Sequence, residues 1–234
     1  MKKTKKSTVA MFIVLFAAIP LTIYFGSKLP GRSYYLLSAL IAIEILIPFF
    51  LSFEGRKPQP RELVTIAVMA ALVTIARVAV PLPSFKPTFA MILLSGVAFG
   101  PETGFLIGAV GALGSDFFYG QGPFTPWQMM AYGSMGLIGG FAYKMNWLPR
   151  KRIPMAVFCF LVTVLFVGPL LDTSTVFLTV PVMKWQTIAP LYLSGFPVNI
   201  SQGTCSAITI FLFGEAILEK LDRIKLQYGV LEDQ

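Results

Sequence analysis

The sequence predicts an all-α integral membrane protein: a six-helix core preceded by an N-terminal two-helix transmembrane hairpin. Three observations carry this. Hydrophobic residues make up 56% of the 234 and charged residues only 13%, about half the roughly 25% usual in soluble domains. Apolar runs of about 20 residues recur along the chain, each long enough to cross a hydrocarbon layer of about 30 Å. The basic residues, which give a net charge of +8, gather in alternate connections instead of forming one patch.

The elements follow in order. A basic start, MKKTKKST, leads into an apolar run at 9–25. It has the outline of a secretory leader, but it is long and no small-residue cleavage pattern follows, so a retained helix is expected. A second span covers 34–53. The basic, proline-containing linker 54–60 separates this hairpin (1–53) from a core at 61–223, and a charged tail follows at 224–234. Core spans are expected at 63–80, 89–99, 102–118, 126–143, 154–171 and 190–218. The run at 89–99 is short for a perpendicular crossing and is expected to be re-entrant or broken. Gly195 and Pro197 are expected to break or kink the last span. No internal repeat is evident, which gives an inverted-repeat transporter little support.

Alternating these spans from a cytoplasmic N-terminus puts 14 of the 19 basic residues inside. Lys28, Arg32, Lys86 and Lys184 fall outside, and Arg77 lies within a span. The positive-inside rule then places the chain in the cell membrane as a multi-pass protein with both termini cytoplasmic. The same distribution assigns the positive charge to topology, and no nucleic-acid partner is expected.

Composition also excludes chemistries. Histidine is absent, which removes His-based acid–base work and Ser-His-Asp hydrolysis. Cys159 and Cys205 sit in apolar runs without metal-ligand spacing, so no metal site or disulfide is expected. No GxxxxGK[ST] loop occurs, so the chain has no nucleotide cradle of that kind. It is expected not to be an enzyme and to hold no covalently bound cofactor.

Small residues recur at helical spacing. Gly104, Gly108, Gly111 and Ser115 share one face, and Gly133, Gly136 and Gly140 another. Such faces let membrane helices approach closely, and internal packing is the first expectation for both. For Ala67 and Ala71, an external partner helix competes evenly with internal packing.

Ionisable residues within spans are costly and call for partners. Glu44 lies mid-span with no partner identifiable from sequence. Arg77, Asp116 and Asp172 fall at outer ends of spans, where Arg77 could pair with either acid or one of the three could touch a ligand. Around them the outer loops share a composition. PLPSFKPTF carries Phe85 and Lys86; GSDFFYGQGPFTPW, residues 114–127, carries Asp116, Tyr119, Gln121 and Trp127, with Gln128 next; the 173–190 loop carries Lys184, Trp185 and Gln186. The last span opens with Asn199 and Gln202. Apolar and aromatic walls with a few placed polar groups make a small-molecule site, so these residues other than Lys184 and Gln186, with Asp172, are the candidate ligand contacts.

With these features together, the core resembles the substrate-binding S component of an energy-coupling factor (ECF) vitamin transporter. The resemblance rests on Ala67-x-x-x-Ala71, the glycine-rich second half, and Pro197-Val-Asn199. It implies a vitamin site near the outer face and a coupling surface, Ala67 and Ala71, for the membrane-embedded T protein. It implies that two ATP-binding partner subunits consume the ATP, and that the S component topples in the bilayer to deliver its ligand. SDFFYGQGPFTPWQM resembles the branch associated with cobalamin and related corrinoids, which makes a corrinoid the leading substrate expectation. Two alternatives from other classes stay open: a stand-alone secondary transporter or channel, and a membrane-embedded lipid-modifying enzyme using Asp116 and Asp172.

Overall fold

A computed structural model of the chain describes residues 6–26, 40, 43, 44, 60–82, 84–180 and 184–228. Most of the expected second hairpin helix (34–53), the linker short of Pro60, and the tail from 229 lie outside the described residues. Among the described residues the fold is all-α. The N-terminal segment is helix α1 (Lys6–Ile13), a π-helical turn (Val14–Ala18) and α2 (Ile19–Gly26). Then come α3 (Pro60–Val78), α4 (Thr88–Phe99), α5 (Pro101–Tyr119) and α6 (Thr125–Lys144). The helix α7 (Arg152–Val162) continues through a π-helical turn (Thr163–Val167) into α8 (Gly168–Thr179), and α9 (Trp185–Tyr228) ends the described chain.

Helix α4 organises the bundle. It is apolar on every side, and all its residues except Met91 are buried. A helix of that composition belongs in an interior. At about 1.5 Å per residue its 12 residues span only about 18 Å. Because its neighbours are protein and not lipid, its length is not bound to the bilayer's thickness. Gly100, at φ 93°, reverses the chain directly into α5, with Pro101 at the first helical position.

The glycine faces make that interior possible. A Cβ on Gly136 would lie 2.2 Å from the Gly104 carbonyl oxygen, and one on Gly96 would lie 2.2 Å from that of Gly136. The backbones of α4, α5 and α6 therefore touch, and internal packing accounts for both faces expected from the sequence. Gly111 makes the same approach to Val73 of α3.

Helix α9 departs from expectation. It runs for 44 residues with Pro190 and Pro197 inside it, so neither Gly195 nor Pro197 breaks the helix. Each proline removes one backbone bond, but neighbouring helices and side chains in a membrane bundle tolerate that loss. The helix also starts earlier and ends later than 190–218. The 28-residue stretch Arg152–Thr179 is long and apolar enough to cross a membrane.

The N-terminal helix lies on the flank of the core. Phe12 meets Phe141 of α6 edge-on at 4.8 Å, and Phe16 packs on Phe166 at 5.6 Å. Ile19 is buried. Thr22 donates to Glu44, the carboxylate for which the sequence offered no partner.

Candidate functional site

Four helix ends and one loop converge at the Arg77 end of the bundle. The last turn of α3 supplies Arg77. The 79–87 connection supplies Ser84 and Lys86, and the first turn of α4 supplies Thr88 and Phe89. The last turn of α5 supplies Ser115, Asp116 and Tyr119, and the first turns of α6 supply Gln128 and Tyr132. Between them lies a cavity of about 200 Å³, to which α9 adds Gln202. Ser84 has φ 58°, a left-handed conformation uncommon outside glycine; it bends the loop so that Lys86 returns over Tyr119.

Arg77 is the hub. Its guanidinium donates to Asp116 Oδ1 at 2.8 Å, to Ser115 Oγ, and to Gln128 Oε1 at 2.7 Å. It also sits against two rings, 5.1 Å from the Tyr132 centroid and 5.4 Å from that of Tyr119, within cation–π range. The Arg77 side chain is 14% exposed and that of Asp116 is 0%. A charge so enclosed is tolerable only because it is paired and hydrogen-bonded. Of the two acids that sequence offered to Arg77, Asp116 takes it. Lys86 Nζ donates to Tyr119 Oη at 2.6 Å and rides over the same ring at 4.6 Å. Tyr119 Oη in turn donates to the Arg77 carbonyl.

A second polar cluster joins α8 to α9. Asn199 Nδ2 donates to Asp172 Oδ2 at 2.8 Å, and the Thr173 and Tyr192 hydroxyls share a hydrogen bond. Gly195 makes room for the Asp172 carboxylate and Gly168 for the Asn199 amide; any Cβ there would collide with them.

The candidates from sequence thus divide. Lys86, Tyr119 and Gln202 line the cavity. Asp116 and Gln128 hold Arg77 in place. Asp172 and Asn199 bind each other. Trp127 is fully buried and stacks on Phe177 at 5.7 Å, away from the cavity lining. Gln121 is exposed, Phe85 half-buried, and Trp185 76% exposed at the start of α9. Sequence reasoning passed over Ser84, Thr88, Phe89 and Tyr132. Tyr132 sits one helical turn beyond Gln128, a spacing that could have flagged it. A larger depression of about 870 Å³ lies along the last turns of α9, but Glu219, Asp222, Arg223, Leu226 and Gln227 of that single helix line it, so it has no opposing wall.

Along α3, Ala67 and Ala71 face outward from the bundle. Val64, Val68, Leu72 and Ile75 accompany them, all exposed. Ile66, Met69, Ala70 and Val73 face the core.

Comparison with known proteins bears on this arrangement. A family model described as "ECF-type riboflavin transporter, S component" matches residues 57–219. A UPF0397 protein of Vibrio atlanticus is 33% identical over 87 residues, 36% of this chain and 47% of its own. UPF0397 proteins of two Lactococcus lactis subsp. cremoris strains are 28% identical over 165 residues, 66% of this chain and 83% or 80% of theirs. The chain therefore spans about half the length of the Vibrio relative and most of the Lactococcus ones. No solved structure matches.

Proposed function

The chain belongs to the family of ECF-type riboflavin transporter S components, and from that premise we propose that it captures a vitamin at its outer end for an ATP-driven importer. The family is one of membrane-embedded transport subunits. The observation that carries the proposal is the cavity at the Arg77 end, with its charged, hydroxyl and aromatic lining. Such a lining fits small-molecule capture, with apolar walls and a few placed polar groups. The basic-residue pattern supports a multi-pass topology with both termini cytoplasmic, which turns the cavity outward.

Energy comes from elsewhere in this reading. A T protein and two ATP-binding subunits act on the S component, which topples to carry its ligand inward. The outward face of α3 is the coupling surface. Ala67 and Ala71 form a shallow strip between exposed Val64, Val68 and Ile75, and small residues let a partner helix approach closely. Among the described residues, the N-terminal helix packs on α6 and the turn after α7 and not on the α3 strip.

The family description names riboflavin, while the 115–129 segment resembles the corrinoid-associated branch. A cavity of about 200 Å³ lies below the roughly 300–1,000 Å³ of pockets that take drug-sized ligands, so as it stands it favours a ligand more compact than either. A corrinoid would need the 79–87 and 120–124 connections to part.

Ala67→Trp tests the coupling surface. Ligand binding by the purified variant is expected to match wild type, while uptake by cells supplying the T protein and ATPases is lost. Normal uptake by the variant would remove α3 from the coupling role.

A further inference from the structure

Resting on the capture reading, we infer that the ligand is a compact ring molecule carrying a single negative charge, a carboxylate, held by Lys86. The charge balance of the site carries this. Among the described residues, the cavity lining holds two cations, Arg77 and Lys86, and no acid. Asp116 answers Arg77 at 2.8 Å. Lys86, among the described residues, has only the neutral Tyr119 hydroxyl as a hydrogen-bond partner. One positive charge therefore stands without a carboxylate partner at the cavity's open edge, and a cation placed at the mouth of a cleft selects the opposite sign in its ligand.

The other lining groups narrow the class. Thr88 is 3% exposed, and its hydroxyl has no partner. A buried hydroxyl left unpaired is costly, and an oxygen or ring nitrogen on the ligand would relieve it. Gln202 adds an amide with both donor and acceptor capacity. Phe89 and Tyr132 meet edge-to-face, centroids 4.9 Å apart at 72°, and present an aromatic wall suited to a flat ring. One free cation matches a monoanion better than a phosphate dianion. The volume, about 200 Å³, equals the share of roughly seven liquid waters at about 30 Å³ each, enough for one ring or a fused pair.

Matched probes isolate charge from shape. The purified full chain is titrated calorimetrically with benzoate and benzamide, then with indole-3-acetate and indole-3-acetamide, and with the neutral vitamins riboflavin and cyanocobalamin. The acid of each pair is expected to bind at least tenfold more tightly than its amide. Lys86→Gln should abolish that preference, and Lys184→Gln, which removes an outer charge away from the cavity, should keep it. Tighter binding of either amide or either neutral vitamin overturns the inference, as does a preference that survives in Lys86→Gln. In the first case the capture reading stands and only the charge assignment falls. If no probe or vitamin binds a chain that still melts cooperatively, both fall together.

Discussion

At one end of the bundle Arg150 meets Asp222 at 2.6 Å and Arg152 meets Glu215 at 2.7 Å. All four side chains stand between 30% and 56% exposed. At the other end Arg77 pairs with Asp116, which is wholly buried, while Lys86 reaches the exposed Tyr119 hydroxyl. Where water reaches an ion pair, the pair ties helix ends together at little cost and for little gain. Where water is kept out, as around Asp116, a charge is costly unless it is paired and hydrogen-bonded. The contrast separates two exposed ion pairs from an enclosed one, and the proposed capture site lies beside the enclosed one.

The largest effect should come from breaking the enclosed pair. Arg77→Ala leaves Asp116 buried without its counter-ion, a loss of about 3–5 kcal/mol. In detergent-purified protein that corresponds to a melting temperature lower by roughly 10 °C. The double variant Arg77→Met with Asp116→Leu sharpens the test, because apolar replacement of both partners often recovers stability. A double variant no more stable than Arg77→Ala would mean that the two residues are not energetically linked.

Arg150→Ala should come second. It removes the bond to Asp222 and a guanidinium lying 4.7 Å from the Tyr143 ring. Both partners of the ion pair are about one-third exposed, so solvent screens the pair and the expected loss is about 1 kcal/mol. A thermal melt as depressed as that of Arg77→Ala would erase the distinction between the two ends.

The sequence made some of this visible and hid the rest for definable reasons. Helical cores could be placed from apolar runs because burial in lipid or protein demands them everywhere. Ends were legible to within a residue at α4, α5 and α6, where Gly100 and Gly120 punctuate the chain, but not at α9. The polar segment 114–127 looks like a loop, yet α5 continues through Tyr119 and α6 begins at Thr125. Composition marks polarity there, but the helix phase decides which side chains turn inward. Trp127 and Tyr119 show the consequence: similar residue types a few positions apart, one fully buried and one lining the cavity. Pro190 and Pro197 signal a break locally, whereas packing against α8 is a non-local term that no window of α9 contains. The choice of Asp116 over Asp172 for Arg77 likewise depends on α3 lying beside α5.

Arg152→Ala should do least, and its smallness carries the argument. Its pair with Glu215 is the most exposed of the three, at 56% and 41%. Exposed pairs contribute about 0–1 kcal/mol and are screened further by salt. The variant is expected to melt within about 2 °C of wild type, and raising the salt concentration should shrink even that difference. If Arg152→Ala instead destabilised strongly and insensitively to salt, this end of the bundle would be as water-poor as the Arg77 end. Burial would then no longer distinguish the two ends.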